Sequence, residues 1–311
     1  MRTFIILLSC LLITATCSIQ AQNWNALNFP LEEDISGVSF VGTDTAFFVT
    51  NKGKLIRTFD KLQSFDSFNP APGISLEDVS FLNSEIGFIC GSKGTFMKTT
   101  DGGYTFEKIN ITDSIPWFFD VEMFDDKHGL LIGMSRDPKS PFSGLSFRTS
   151  DGGKNWVKVK PYGIGLSEIG YYDNTIKVQS FGRLNSSTDF GKTWKSDSTV
   201  TGNPGRAFSF YKNSGILCGL KGLCAFTNDG GKTWFPAEQN TQKMFIAAQM
   251  VSNTDGYIGG TKSTLLKTID GGKSWNPELM AKSFDVYDLI LVNDRLYAVG
   301  TGGGIIWKKV K

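Results

Sequence analysis

Several residue types are scarce in this chain of 311 residues, and each scarcity excludes a class of function. A single histidine excludes metal centres built from several histidines, so we expect no metal. The 32 basic and 30 acidic residues nearly balance, which indicates neither a nucleic-acid-binding surface nor an acidic tail. No apolar run reaches the roughly 20 residues that a membrane helix needs, so no transmembrane segment is expected.

Cysteine is scarce as well, because only Cys90, Cys218 and Cys224 lie beyond the N-terminal 21 residues. Three cysteines do not make a disulfide framework. Cys218 and Cys224 flank "GLKGL" and could form one bridge across a hairpin in an oxidising compartment. Two small buried side chains are the alternative, and both interpretations stay open here.

The N-terminal segment 1–21 is typical of a signal peptide. It has Arg2, an apolar run over 4–13, and small or polar residues that end at Ala21. We predict cleavage after Ala21 and a secreted or periplasmic protein. Lipoprotein anchoring is less favoured, because "LLSC" at 7–10 would leave apolar residues behind and "TATC" at 14–17 lacks the usual aliphatic residue.

Glycine, by contrast, is abundant, with 35 residues, and much of it lies in one recurring motif. Copies of the motif are "TFDKLQSF" (58–65), "TTDGGYTF" (99–106), "TSDGGKNW" (149–156), "STDFGKTW" (187–194), "TNDGGKTW" (227–234) and "TIDGGKSW" (268–275). One such stretch would suggest a phosphate loop or a metal site. Six copies, spaced by about 40 to 50 residues, instead indicate a repeat architecture such as a β-propeller. We therefore assign the motif a structural role and expect no cofactor.

Each repeat reads as four short antiparallel strands, which is one propeller blade. We predict an all-β fold in which residues 22–311 form a single seven-bladed propeller, with blades at approximately 34–68, 75–109, 116–159, 165–197, 205–237, 243–278 and 284–310. The last unit supplies only three strands. "NWNALNFP" at 23–30 resembles the fourth strands, so we expect this N-terminal strand to complete the last blade and close the ring.

The motif residues have physical roles in such a blade. Glycines provide the positive φ angles of a hairpin, and the Asp carboxylate accepts N–H groups of the same turn. The predicted turn residues are Asp60, Asp101, Asp151, Asp189, Asp229 and Asp270. An aromatic ring five residues later is expected to pack between neighbouring blades. These rings are Phe65, Phe106, Trp156, Trp194, Trp234 and Trp275. The copies at 58–65 and 187–194 depart from the glycine pattern, and we expect looser turns there.

The pattern Ser/Thr-x-Asp-x-Gly-x-Thr-Trp resembles the Asp-box, or bacterial neuraminidase repeat, of sialidases, sortilin-type receptors and some glycoside hydrolases. The chain is most similar to the photosystem II assembly/stability factor-like propellers, because "EDVSF" is followed by "GFICGSKGTFMKTTDGGYTF" in that family's order. This resemblance implies a scaffold with its Asp-boxes on the outer rim. It also implies that ligands meet the loops between blades and the loops between the second and third strands.

One of these loops is long. Blade 3 carries "GMSRDPKSPFSGLS" at 133–146 where other blades have short loops such as "GSKG". It is a binding loop or a tolerated insertion, and both interpretations stay open. If it binds, we expect contacts from Arg136 and Phe142, and from Trp117, Phe118, Tyr162, Arg183 and Arg206 on the same face.

Acidic residues recur at the start of four inner strands, namely Asp78, Asp120, Glu168 and Asp288. Paired carboxylates are what glycosidases use. Recurrence at one register instead favours a structural role, such as accepting hydrogen bonds from a neighbouring blade. The Arg-Ile-Pro element expected of a sialidase is absent, and we expect the one histidine, His128, in a solvated turn.

The sequence thus predicts a monomeric, secreted or periplasmic, non-catalytic scaffold that binds a protein or a glycan and no nucleic acid. The alternative is a glycoside hydrolase that uses two of the inner-strand carboxylates.

Overall fold

The computed structural model describes residues 24–27, 29, 31–112, 115–160, 165–180, 183–196, 205–237 and 241–310. The predicted signal peptide and Tyr162 lie outside these ranges. Seven four-stranded antiparallel sheets form the described part of the chain, so the predicted seven-bladed propeller is confirmed. The only helical segments described are two short 3₁₀ turns, at Leu220–Gly222 and Thr301–Gly303. None of the described helices is long and apolar enough to cross a membrane.

In blades 1 to 6 the strands run from the central axis outward in chain order. Blade 1 contains β2 (Ile35–Val41), β3 (Thr45–Thr50), β4 (Leu55–Thr58) and β5 (Asp66–Phe68). Blade 2 contains β6 (Leu76–Phe81), β7 (Gly87–Gly91), β8 (Phe96–Thr99) and β9 (Glu107–Lys108). Blade 3 contains β10 (Trp117–Met123), β11 (Gly129–Met134), β12 (Gly144–Thr149) and β13 (Val157–Val159). Blade 4 contains β14 (Glu168–Tyr172), β15 (Thr175–Ser180), β16 (Arg183–Ser187) and β17 (Lys195–Ser196).

The remaining blades follow the same order. Blade 5 contains β18 (Gly205–Tyr211), β19 (Ser214–Gly219), β20 (Cys224–Thr227) and β21 (Phe235–Pro236). Blade 6 contains β22 (Phe245–Met250), β23 (Gly256–Gly260), β24 (Thr264–Thr268) and β25 (Asn276–Pro277). Blade 7 contains β26 (Val286–Val292), β27 (Arg295–Gly300), β28 (Gly304–Lys309) and, as its outer strand, β1 (Asn25–Ala26).

Burial explains which segments became which strands. The second strands, such as β7, are buried along their whole length, which suits an uninterrupted apolar run like "GFICG". The outer strands are only two or three residues long and are largely exposed. Such short edges give little template for pairing with another chain.

The N-terminal strand closes the ring as predicted. Asn25 pairs with Trp307 and Ala26 with Ile306, although the paired segment is shorter than the predicted 23–30. Trp24 is 6% exposed, and its indole Nε1 donates to Glu278 Oε1 of blade 6 at 3.1 Å. The N-terminus therefore joins both of the last two blades.

Apolar packing is concentrated between blades rather than within them. Seven clusters of buried residues each draw on two neighbouring blades, and each includes one ring of a repeating series. The rings are Trp24, Phe65, Phe106, Trp156, Trp194, Trp234 and Trp275. Trp24 occupies the seventh position, so ring closure also completes the aromatic series.

The Asp carboxylate of the turn motif accepts a backbone and a side-chain hydrogen bond from the residue four positions later in each copy. The side chain is a Ser or Thr hydroxyl in five copies and the Asn155 amide in blade 3. In blade 2, Asp101 accepts the Thr99 hydroxyl at 2.8 Å, the Thr105 N–H at 2.9 Å and the Thr105 hydroxyl at 2.6 Å. The bonds from Thr105 lower the pKa of Asp101 to about 2. Asp60 keeps equivalent bonds to Ser64 although its turn has no glycine, since Lys61 and its neighbour adopt φ values of 61° and 67°.

The other atypical turn accounts for the single histidine. Phe190 replaces the first glycine at a φ of 54°, and its ring stacks on His128 with centroids 4.0 Å apart. His128 Nδ1 lies 2.8 Å from a carboxylate oxygen of Asp125. The expectation of a solvated histidine was wrong, because this ring is half-buried between two partners.

The two hairpin cysteines lie directly opposite each other, Cys218 on β19 and Cys224 on β20. Both are buried free thiols in the structure. Burial raises the pKa of each thiol, which makes them poor nucleophiles.

Candidate functional site

The inner strands of all seven blades surround a central cavity of about 390 Å³. Six carboxyl groups line it, while Arg206 is the one basic side chain among its described lining residues. The carboxyl groups belong to Glu77, Asp78, Asp120, Glu122, Glu168 and Asp288. The channel is therefore strongly acidic in composition.

Four of these carboxyl groups tie one blade to the next. The bonds run from Val121 N–H to Asp78 (3.0 Å), from Ile169 N–H to Asp120 (2.6 Å) and from Phe208 N–H to Glu168 (2.8 Å). Asp288 of blade 7 faces the backbone N–H of Val38 in blade 1. The recurring acidic register thus has the structural role that the sequence favoured.

A local irregularity aims three of these side chains. Asp78, Asp120 and Asp288 each follow a β-bulge in their inner strand. A bulge shifts the side-chain direction of the residue after it. The carboxyl group is consequently turned toward the neighbouring blade.

Burial is the main cause of the raised pKa values of the channel carboxyl groups. It raises the pKa of Asp78, Asp120 and Glu168 well above the ordinary range, with the neighbouring Asp120 adding to the effect on Asp78. The pKa of Glu122 rises to about 8 and that of Asp288 to about 6, in both cases chiefly through burial. A raised pKa alone would suit a general acid. The four carboxyl groups of the hydrolase alternative, those of Asp78, Asp120, Glu168 and Asp288, already accept hydrogen bonds from backbone N–H groups. The geometry therefore does not favour that alternative.

A second cavity, of about 650 Å³, lies beside the channel mouth, and we call it the blade-three pocket. It is lined by Ser92, Lys93, Ile115, Pro116, Trp117, Arg136, Asp137 and Pro138. The Arg136 guanidinium lies over the Trp117 ring, 5.0 Å from its centroid. An aromatic ring, aliphatic side chains and one guanidinium in a concave site form a typical binding arrangement.

The long loop of blade 3 forms one wall of this pocket. Its free part covers 135–143, shorter than the predicted 133–146, because β11 and β12 extend further than expected. Ser135 N–H donates to Ser143 O at 2.8 Å and Phe142 N–H to Ser135 O at 3.0 Å. The loop is thereby closed at its base, and Phe142 is left 56% exposed at its end.

Glu77 is a channel carboxyl group with several polar neighbours. It lines the channel and accepts the Ser75 hydroxyl at 2.7 Å. Burial raises the pKa of Glu77, and the Ser75 hydroxyl, the Trp117 indole and Arg206 partly oppose that rise. Arg206, exposed at the channel mouth, thus acts on the Glu77 carboxyl group of the channel.

The structure brings some predicted binding residues together and separates others. Trp117 and Arg136 meet in the pocket. Phe118 was wrongly assigned, because side chains alternate along β10 and its ring, 1% exposed, points into the core between blades 2 and 3. Arg183 is exposed at the start of β16, outside the pocket lining. Tyr162 lies outside the described residues.

Sequence reasoning missed two groups. Ile115, Pro116 and Lys93 line the pocket, and the isoleucine before the proline and the inner strand was the available signal. Glu122 points into the channel two residues after Asp120, as strand alternation requires. Among the described residues, no group of three or more His, Cys, Asp or Glu side chains is placed to hold a metal ion.

Comparison of the sequence with known protein families gives a match. The sequence model of the family described as "Photosynthesis system II assembly factor YCF48" matches residues 72–161 and 205–277, more than half of the chain. No curated protein sequence matches the chain.

Similar solved structures share the fold. "YCF48 bound to D1 peptide" has a TM-score of 0.73 at 18% identity, covering 93% of this chain and 95% of that one. "YCF48 from Cyanidioschyzon merolae" has a TM-score of 0.73 at 14% identity, covering 92% and 98%. The WD40 β-propeller domain of Doa1 has a TM-score of 0.70 at 11% identity, covering 93% and 98%.

Proposed function

The chain belongs to the photosynthesis system II assembly factor YCF48 family, and from that premise we propose that it is a non-catalytic scaffold whose partner is a protein. We place the docking site at the blade-three pocket. The observation that carries this proposal is the pocket itself, where Arg136 lies over Trp117 between a long loop and exposed apolar residues. One of the similar propellers is "YCF48 bound to D1 peptide", which supports a peptide segment as the kind of ligand.

The composition of the pocket suits one peptide segment. Trp117 and Ile115 offer apolar surface, and Arg136 offers a charge that is already desolvated on one side by the indole. Aromatic and arginine side chains in a concave site are the usual anchors of protein interfaces. A glycan partner, which the sequence also allowed, is an outcome of the same experiment.

The test uses pocket and control variants in a crosslinking pulldown from envelope extract. The pocket variant combines Arg136→Ala with Ile115→Ser, because both side chains are exposed or half-exposed and their loss leaves the blade cores intact. The control is Val157→Ser, 58% exposed on the outer strand of blade 3. We expect one protein to be enriched by the wild type and the control but lost by the pocket variant.

Two results would contradict the proposal. Equal recovery of every captured protein by the pocket variant would place binding elsewhere. Turnover of a glycoside panel that disappears in Asp120→Asn would restore the hydrolase alternative. Glycan-array binding that the pocket variant loses would identify a sugar, rather than a protein, as the partner.

We also propose that the protein acts outside the cytoplasm after removal of residues 1–21. The support is the charge and apolar pattern of that segment. Intact-mass measurement of the protein from a periplasmic extract should give a chain that starts at Gln22. A mass for the chain starting at Met1 would exclude cleavage, and a diacylglycerol-modified cysteine at the N-terminus would indicate a lipoprotein.

A further inference from the structure

One face of the propeller is basic although the whole chain is nearly neutral. The loops between second and third strands and the links between blades share this face, as bonds such as Gly94 N–H to Pro116 O (2.7 Å) show. In blades 2 to 6, each such loop places at least one exposed basic residue in it or at its end, and the long loop of blade 3 also carries Lys139. One residue from each loop forms what we call the basic arc, namely Lys93, Arg136, Arg183, Lys221 and Lys262.

The charges of the basic arc are not neutralised by the protein. In the part of the chain that the structure describes, Lys93, Arg183, Lys221 and Lys262 form no ion pair and no side-chain hydrogen bond. Blade 1 has the exposed Lys52 at the equivalent position, but acidic residues at 32–34 lie beside it, and Glu33 pairs with the neighbouring Lys54 at 2.7 Å. The arc therefore presents its positive charge to whatever approaches this face.

The backbone at three arc positions does not require lysine. Lys93, Lys221 and Lys262 have φ angles of 55°, 54° and 58° in tight turns. Gly302 takes the equivalent position in blade 7 with a φ of 61°. Glycine or asparagine is favoured in such left-handed positions, where other residues cost about 1 kcal/mol or more. The exposed ammonium group is thus the feature that a lysine adds there.

Apolar side chains project from the same face. Ile115 is 67% exposed at the link into blade 3, and Phe142 is 56% exposed at the tip of the long loop. Acidic residues of this face lie near the seam of blades 7 and 1, at 32–34 and Asp285, and Asp137 lies on the long loop beside Arg136. Charge and apolar tips therefore share one side of the mouth.

We propose that the basic arc, together with Ile115 and Phe142, docks the propeller on an anionic lipid surface with the channel mouth toward the headgroups. A single bound anion needs donors that converge, whereas these five charges are spread over separate loops. A membrane offers many separate negative headgroups to such an arc, each worth about 1 kcal/mol near the surface. Exposed apolar tips beside the charges then enter the headgroup region.

Vesicle co-sedimentation tests this directly. The purified chain starting at Gln22 is mixed with vesicles of phosphatidylcholine alone or with phosphatidylglycerol added, so that no predicted signal-peptide residue contributes. The arc variant carries Arg183→Gln, Lys221→Asn and Lys262→Asn, since asparagine tolerates the left-handed backbone and none of the three lines the blade-three pocket. The matched control changes Lys127, Lys154 and Lys192 to Gln, three exposed lysines of the opposite face.

We expect binding only to the anionic vesicles, weakening as salt is added. The arc variant should bind about 100-fold more weakly, from the loss of three charges at about 1 kcal/mol each. The control should bind like the wild type, and Phe142→Ser should bind about tenfold more weakly.

Three results would overturn the proposal. They are equal binding to neutral and anionic vesicles, equal loss in the arc and control variants, and tight binding of soluble polyglutamate without vesicle binding. The last result would assign the arc to an acidic protein segment. The arc variant leaves Arg136 and Ile115 unchanged, so it should lose vesicle binding while it keeps the pulldown partner, and this separates failed membrane docking from a failed scaffold proposal.

Discussion

Trp24→Ala is the perturbation that tests ring closure most sharply. Trp24 is 6% exposed, contacts Tyr257 edge to face with ring centroids 6.2 Å apart, and donates to Glu278. Truncating a buried tryptophan costs about 3–5 kcal/mol, because the ring contacts are lost and a cavity remains. For a chain of this size that loss corresponds to a fall in Tm of about 5–8 °C. β1 has only two paired residues, so this side chain carries much of the closure.

Urea unfolding followed by circular dichroism measures the free energy of unfolding of each variant. Trp24→Phe keeps a ring but loses the bond to Glu278, which still has Lys308 at 2.7 Å, so we expect an intermediate loss of about 2 kcal/mol. Val157→Ala, on an exposed outer strand, should change stability by less than about 0.5 kcal/mol. If Trp24→Ala costs less than about 1 kcal/mol, or deletion of 23–30 leaves the unfolding midpoint unchanged, the N-terminal strand does not hold the ring closed.

Stability should fall as pH rises from about 5 to 8, because the folded chain keeps protons that the unfolded chain releases. That contribution is complete below the ordinary values of 3.8 and 4.5, and is lost as pH rises through about 6 for Asp288 and about 8 for Glu122. A urea midpoint that stays level, or that Glu122→Gln does not flatten, would contradict this. Asp120→Asn should retain an acceptor for the next blade, so its free energy of unfolding should stay within about 1 kcal/mol of the wild-type value. Asp120→Ala should lower the free energy of unfolding by about 2 kcal/mol. Equal losses of stability for the two variants in urea titrations would argue against the bond between the blades. Gly103→Ala should cost about 2 kcal/mol or more by the same assay, because its φ is 84° and a Cβ would collide with the Leu55 side chain, so a neutral effect would refute the tight turn.

The sequence predicted correctly the features that recur in the repeats. The Asp turns, the interblade rings and the acidic register each occur many times, so their spacing alone revealed their role. The predictions were wrong for residues whose environment depends on the folded blade or on a segment that is near in space but far in sequence. Phe118 and Trp117 are adjacent aromatics in sequence, and only their opposite orientations on β10 separate a core ring from a pocket ring. The sequence likewise predicted a solvated His128, because it does not show that Phe190 of the neighbouring blade stacks on the imidazole ring.

The number of blades, the position of each turn and the N-terminal strand that closes the ring can all be predicted from the sequence, because they follow from period and pattern within one chain. The groups that meet in the channel and at its mouth are visible only in the folded ring. Buried carboxyl groups that bridge the blades, a pocket shared by two loops, and basic residues gathered from five blades are all products of circular closure. Closure of the ring brings together residues that are far apart in the chain, and a local sequence pattern carries no information about such contacts.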